Sequence, residues 1–307
     1  MENSKINQII DLRQSPQWGE YLKYLGWQKH SLGDCKNIYS RQAGPLTIAK
    51  MQRPANLTTD NLKNIDDLAI DNKFAFVKLE PSLEQGVDEL TRAHCKISQS
   101  PLCPPSTIFI DLQHDVETLH SDLSRSAKYS INRAKREEGH VDFYSNPSID
   151  LLSQVYPALK DTAIKQKFFV PSFDDLKTKI NLWGSECHFA VVKNSDGVIQ
   201  GAKMFLGFNG NVWFMHGGTS EEGRKTKFGY LLLWESILYL KSCGYKFLDL
   251  EGRDDKRFPS FTKTWGGFSH FKERFGGIEA AFPYPQIKYY SLVLKFLSRL
   301  YNSAIPL

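Results

Sequence analysis

A chain of 307 residues is longer than one ordinary core requires, and two domains are expected. With 41% hydrophobic and 24% charged residues the composition is that of a folded globular protein, which excludes a disordered tail or a fibrous repeat. A net charge of +5 favours an anionic partner but is too small to establish nucleic-acid binding unaided.

The five cysteines, Cys35, Cys95, Cys103, Cys187 and Cys243, are odd in number and lack both C-x-x-C and zinc-type Cys/His spacing. Reduced thiols, a cytoplasmic setting and no metal are therefore expected. The opening MENSKINQIIDLRQ has no signal-peptide core, and nowhere do about 18 uncharged apolar residues run together, so neither export nor a membrane span is expected.

In chain order, NLKNIDDLAIDNKFAFVKLEP (61–81) reads as a helix, a break and a strand ending on Glu80. From Asp122 to Gly139, DLSRSAKYSINRAKREEG has helical spacing that stacks Arg125, Lys128, Asn132 and Arg136 on one face, with Arg133 and Lys135 adding charge. Such a face is either a solvated helix surface or a groove for phosphates. A junction is expected near residue 145, around FYSNPSID, giving domains 1–145 and 146–307 with a ligand cleft between them.

Beyond it, HFAVVK, VIQGAKMFLG and VWFMHGG form a meander punctuated by NSDG and FNGN. A helix follows from Phe228 to Cys243 with Gly244 as its stop, then YKFLDLEG as a buried strand, an echo of KFAFVKLE that suggests a duplicated α/β unit. His188 and His216 fall on these strands and read as packed side chains. In WGGFSHFKERFGG (265–277), Lys272 follows Phe271 between two glycine pairs, which mark tight turns or close backbone approach. A cation flanked by Phe271 and Phe275 suits a partly dry site. The apolar YYSLVLKFLSRLYN (289–302), with Lys295 and Arg299 interleaved, reads as a helix docked on the core, its alternative being a membrane-surface helix and peripheral membrane contact at the inner face.

Three stretches, RQSPQWGEYLKYLGW, SRSAKYSINRAKREEG, and GGTSEEGRKTKFGYLLLWESILYLKSCGYKFLDLEG continuing to FKERFGG, together resemble the Fem family of peptidoglycan-bridge aminoacyltransferases. The resemblance covers residues 12 to 285 and implies an α/β (α+β) fold of two tandem GNAT-like acyltransferase domains, without a helical-arm insertion. It implies an aminoacyltransferase, expected to be cytoplasmic and monomeric, that takes an aminoacyl group from aminoacyl-tRNA, its co-substrate in place of a cofactor. The group is joined to an amine-bearing acceptor such as a muropeptide precursor. The ester is already activated, so the main demand on the protein is the tetrahedral oxyanion. The family lysine matches Lys272, which would stabilise that oxyanion while Phe271 holds its rotamer and excludes water. Tyr230, in KFGYLLLWE, takes the place of a tyrosine that contacts the acceptor, or is a buried aromatic at a helix start. Glu80 matches an acidic residue that could orient or deprotonate the incoming ammonium, or is a surface carboxylate at a strand end. Arg125, Lys128, Arg133 and Arg136 become the tRNA and phosphate contacts.

The sequence departs from the family where acceptor-binding arginine and tyrosine are replaced by Pro171 and Asp175, and where Leu22 and Lys23 displace an N-terminal lysine. Three alternatives therefore stay open: the same chemistry on a small peptide or amine metabolite, an acyl-CoA N-acyltransferase, and a non-catalytic RNA-binding protein. Against CoA, EGRKTKFGYLL lacks a closely spaced second glycine, and Tyr230 would crowd the pyrophosphate.

Overall fold

The computed structural model describes residues 2–166 and 171–300. Residues 167–170, beside the expected acceptor contacts, and 301–302, the end of the C-terminal helical pattern, lie outside the described residues. The chain divides into two compact units: Met1–Ser106 with Asp255–Thr262 and Ala280–Leu307, and Thr107–Asp254 with Lys263–Glu279.

The first unit holds a six-stranded sheet of order β1-β2-β3-β4-β13-β5. Its strands are β1 (Gln28–Ser31), β2 (Asn37–Ala43), β3 (Leu46–Gln52), β4 (Phe74–Glu80), β5 (Lys96–Ile97) and β13 (Gln286–Tyr289). Helix α1 (Thr59–Asp71) is fixed at its start by a capping box between Thr58 and Asn61 and buries Leu62, Ile65 and Ala69.

The second unit holds a seven-stranded sheet of order β12-β6-β11-β10-β9-β8-β7. These are β6 (Ser106–Asp111), β7 (His140–Ser145), β8 (Cys187–Lys193), β9 (Ile199–Phe208), β10 (Asn211–Thr219), β11 (Phe247–Asp249) and β12 (Ile278–Ala281). The meander read from sequence is β8 to β10, and its Asn209-Gly210 corner has φ of 50° and 72°, the conformation a two-residue hairpin turn demands. Around the sheet lie α2 (Arg125–Arg136), α3 (Ile149–Gln166), α4 (Phe173–Trp183), α5 (Phe228–Ser242) and α6 (Gly266–Glu273). The longest described helix, α3, has 18 residues, so no helical arm interrupts the described chain.

The echo between KFAFVKLE and YKFLDLE is structural. β4 runs parallel to β3 and antiparallel to β13, just as β11 runs parallel to β10 and antiparallel to β6. The boundary expected near residue 145 is corrected by this pairing. Residues 107–145 belong to the second unit because β6 bonds β11 and α2 packs on α5, while the strand after residue 280 completes the first sheet.

The C-terminal helix α7 (Leu292–Leu300) also departs from expectation. Only part of it docks, through Leu294 and Ser298, while Leu292, Val293 and Phe296 are 81%, 67% and 63% exposed.

In β10, an added Cβ on Gly218 would lie 2.6 Å from Ala158 O and 2.9 Å from Leu159 Cα of α3. Backbone atoms of a helix yield poorly to such a contact. Gly218→Ala is expected to cost about 1–3 kcal/mol in chemical denaturation, by overpacking.

Candidate active site

β11 delivers the chain into a turn where Glu251 and then Gly252 adopt φ of 51° and 79°. A left-handed glutamate is disfavoured by its Cβ, so the turn needs support from outside itself. Part of that support is Asp249, whose Oδ1 accepts from Glu251 N–H at 2.7 Å and from the Thr107 hydroxyl. The rest comes from Lys272, whose Nζ donates to Glu251 O and, at 2.8 Å, to Gly252 O.

Lys272 lies near the C-terminal end of α6 and is 6% exposed. Its ammonium sits 4.4 Å from the Phe268 ring centroid and 5.7 Å from that of Phe214. Burial pushes its pKa down to about 7, opposed by the carboxylates of Glu251 and Asp249.

A second lysine, unremarked in the sequence, shares this compartment. Lys203 on β9 is 5% exposed, with Nζ 4.4 Å from Phe214 and 5.1 Å from Phe271. Burial, then the neighbouring charge of Lys272, lowers it to about 7. Gly217, paired with Lys203 across β10, makes room: a Cβ there would fall 2.6 Å from Phe214 Cζ and 3.3 Å from Lys203 Cγ.

The wall continues through Phe271, packed edge-on at 4.9 Å against Tyr230, which stacks on Phe275 at 5.9 Å and accepts from Arg274 Nη1. Phe271 and Tyr230, named from the sequence, are thus brought together with Lys272. The expected contacts of Lys272 need correction. α6 is a helix, so the ring stacked beside the lysine is Phe268, one turn earlier, while adjacent Phe271 points round the helix to Lys203. Of the glycine pairs, only Gly276-Gly277 makes a close approach, with a Cβ on Gly277 falling 2.6 Å from Phe109 O.

The basic helix is as expected, capped by Ser124 and burying Ala127, Ser130, Ile131 and Ala134. Ser124 N–H donates to Arg274 O at 2.9 Å, so α2 begins beside the residue that binds the Tyr230 hydroxyl. Arg125 and Arg136 are exposed and make no ion pair among the described residues. Lys128 donates to Ser121 O at 3.0 Å and Arg133 lies 3.4 Å from Glu137.

Asp175 is engaged by Lys179 at 2.5 Å, and His216 Nε2 lies 3.4 Å from that ammonium, so both read as packing. Pro171 O accepts from Tyr156 at 3.1 Å. His188 is held between the hydroxyls of Tyr239 and Tyr245 at 3.2 and 2.8 Å. Among the described residues no group of three or more His, Cys, Asp or Glu could hold a metal ion.

Glu80 belongs to the first unit and, at 1% exposure, is not the surface carboxylate that a strand end suggested. Its Oε1 accepts from Leu102 N–H at 2.6 Å, while Oε2 has no hydrogen-bond partner among the described residues. Burial raises its pKa, opposed by Arg53, the Leu102 hydrogen bond, Lys78 and Arg13.

No protein-family model matches the chain, and no curated protein matches it by sequence. Solved structures do match by fold. FemX superposes with a TM-score of 0.77 at 12% identity, covering 97% of this chain and 98% of that one. The C-terminal domain of a protein assigned as a lysylphosphatidylglycerol synthetase from Agrobacterium fabrum gives 0.65 at 12% identity, over 97% and 95% of the chains. L-PGS from Bacillus licheniformis gives 0.60 at 14% identity over 91% and 90%. The chain therefore has the FemX-like α/β fold, as the sequence resemblance implied.

A raised folded-state pKa means that the folded chain binds the Glu80 proton more tightly than the unfolded chain does. Stability from this group is full below the unfolded pKa of about 4.3 and declines as pH climbs to the folded value. Glu80→Gln keeps an acceptor for Leu102 and removes the charge. The variant is expected to melt higher than the parent at pH 8 and to lose that advantage at pH 4, by paired thermal scans.

Proposed function

We propose that this protein is an aminoacyltransferase that takes an aminoacyl group from aminoacyl-tRNA and forms an amide on an amine of a peptidoglycan precursor or related acceptor. The observation that carries the reading is the state of Lys272. Two of its three N–H donors are committed to backbone carbonyls, which fixes the ammonium and leaves a third directed donor in a low-dielectric, aromatic-walled compartment. Acyl transfer needs such a donor where the ester oxygen becomes an oxyanion. The fold shared with FemX supports the same chemistry.

In this reading Phe271 closes the wall, Tyr230 contacts the acceptor, and Glu80 acts within the first unit by positioning rather than by direct proton transfer. Arg125, Lys128, Arg133 and Arg136 meet the tRNA backbone, in positions reached from the site through Ser124 and Arg274. Asp175, at a position where the family has an acceptor contact, is tied to Lys179, which leaves a small peptide or amine metabolite as the alternative acceptor. The exposed apolar face of α7, with Lys295 and Arg299 beside it, supports contact with an anionic membrane surface.

The test is transfer from a mixture of charged tRNAs, with acetyl-CoA as a competing donor, read by mass spectrometry of the acceptor. Lys272→Met is expected to lower kcat/KM by about 10²–10³ with tRNA affinity unchanged. The pair Arg125→Glu and Arg136→Glu is expected to weaken tRNA binding and flatten its salt dependence instead. Transfer from acetyl-CoA alone would overturn the proposal.

Vesicle cosedimentation checks the membrane contact. The parent should sediment with phosphatidylglycerol-containing vesicles and not with phosphatidylcholine vesicles, and Phe296→Glu should abolish this. Equal binding by Phe296→Glu would remove α7 from the interface.

A further inference from the structure

Lys203 and Lys272 place two amines against one ring, that of Phe214. Two ammonium groups so confined, in a poorly screened interior, repel each other, and the compartment accommodates one proton more readily than two. Their surroundings decide which amine keeps it. Lys272 donates to the carbonyl oxygens of Glu251 and Gly252 and feels the carboxylates of Glu251 and Asp249. Lys203 makes no hydrogen bond or ion pair among the described residues. Its strand partners, Ala190 on β8 and Gly217 on β10, carry no charge, and the charged group acting on it from α6 is Lys272. Lys272 is thus the resident ammonium and Lys203 the neutral amine.

We propose that Lys203 is the general base of the transfer reaction, removing the proton that keeps the acceptor amine from attacking. The proposal rests on the acyl-transfer reading above and supplies the base that the sequence does not reveal. An acceptor arrives as R–NH3+ and passes one proton to the Lys203 amine. The freed electron pair on nitrogen forms the C–N bond, and the carbonyl π pair moves to oxygen, where Lys272 meets it. Collapse breaks the C–O ester bond. Lys203 returns its proton to the departing ribose oxygen, and the second nitrogen proton leaves to solvent, so the charges balance. The rings of Phe214 and Phe271, at 4.4 and 5.1 Å, stabilise the transient Lys203 ammonium as cation–π partners. A base that could not hold its proton for this interval would be of no use.

The experiment compares Lys203→Met and Lys203→Arg with the parent. Methionine keeps the apolar stem without a base, and arginine keeps a charge that is never given up. Both should lower kcat by about 10²–10⁴ with little change in donor KM. The parent should show a kcat/KM that rises with pH as Lys203 becomes neutral and falls at higher pH as Lys272 gives up its proton. In Lys203→Met that rising limb should disappear while the melting temperature stays level or increases, since a buried amine that makes no hydrogen bond among the described residues is replaced by an apolar side chain. Parent-like kcat and an unchanged pH profile in Lys203→Met would overturn the base assignment. The two readings fail separately. If the parent uses only acetyl-CoA, the donor is wrong and the same comparison with acetyl-CoA still tests Lys203. If no donor serves, a titration of the side-chain 15Nζ resonances decides: a Lys203 protonated beyond pH 9 overturns the proposal, and one neutral by pH 8 upholds it.

Discussion

The ammonium of Lys272 and the left-handed turn at Glu251-Gly252 hold each other in place. Neither is stable alone: a glutamate at φ 51° is strained, and a buried lysine charge without acceptors would be discharged by its surroundings. Together the two carbonyl groups, in residues of successive positive φ, supply the acceptors the cation needs, and the cation in turn donates to both. Asp249, one step earlier on β11, anchors the same turn through Glu251 N–H. The site is thus built from strand end, turn and helix with few side-chain freedoms left, which is what preorganised electrostatics requires.

Much of the fold was legible because it is locally encoded. The Asn-Gly corner of β9–β10 and the stop at Gly244 are short-range signals, and each stands where the sequence put it. The domain boundary was not legible, because the strands that complete the two sheets, β6 and β13, lie far along the chain from their partners. No local pattern announces a pairing between residues 76–79 and 286–289.

The candidate site divides along the same line. Lys272 stood out because it adjoins aromatics, yet adjacency named the wrong ring: Phe268 is the contact that a helical period predicts once the segment is known to be helical. Lys203 was hidden for a different reason. β9 is buried along nearly its whole length, so the alternation that would mark a lysine as inward-facing is absent from VIQGAKMFLG. A lone lysine in a strongly apolar run is the one signal available there.

Buried lysines elsewhere in this unit show why that signal matters. Lys179 is as sequestered as Lys203, but Asp175 stands 2.5 Å away on the same helix, so its charge is neutralised within the packing and its presence needs only a structural account. Lys203 has no such partner among the described residues. Methionine or leucine would fill the same volume between Phe214 and Phe271 without the desolvation cost, and folding alone therefore gives no reason for an amine at that position. On the proposed acyl-transfer reading, an ionisable group that the core does not need, beside a second buried amine, is explained by the two titrating against each other during turnover.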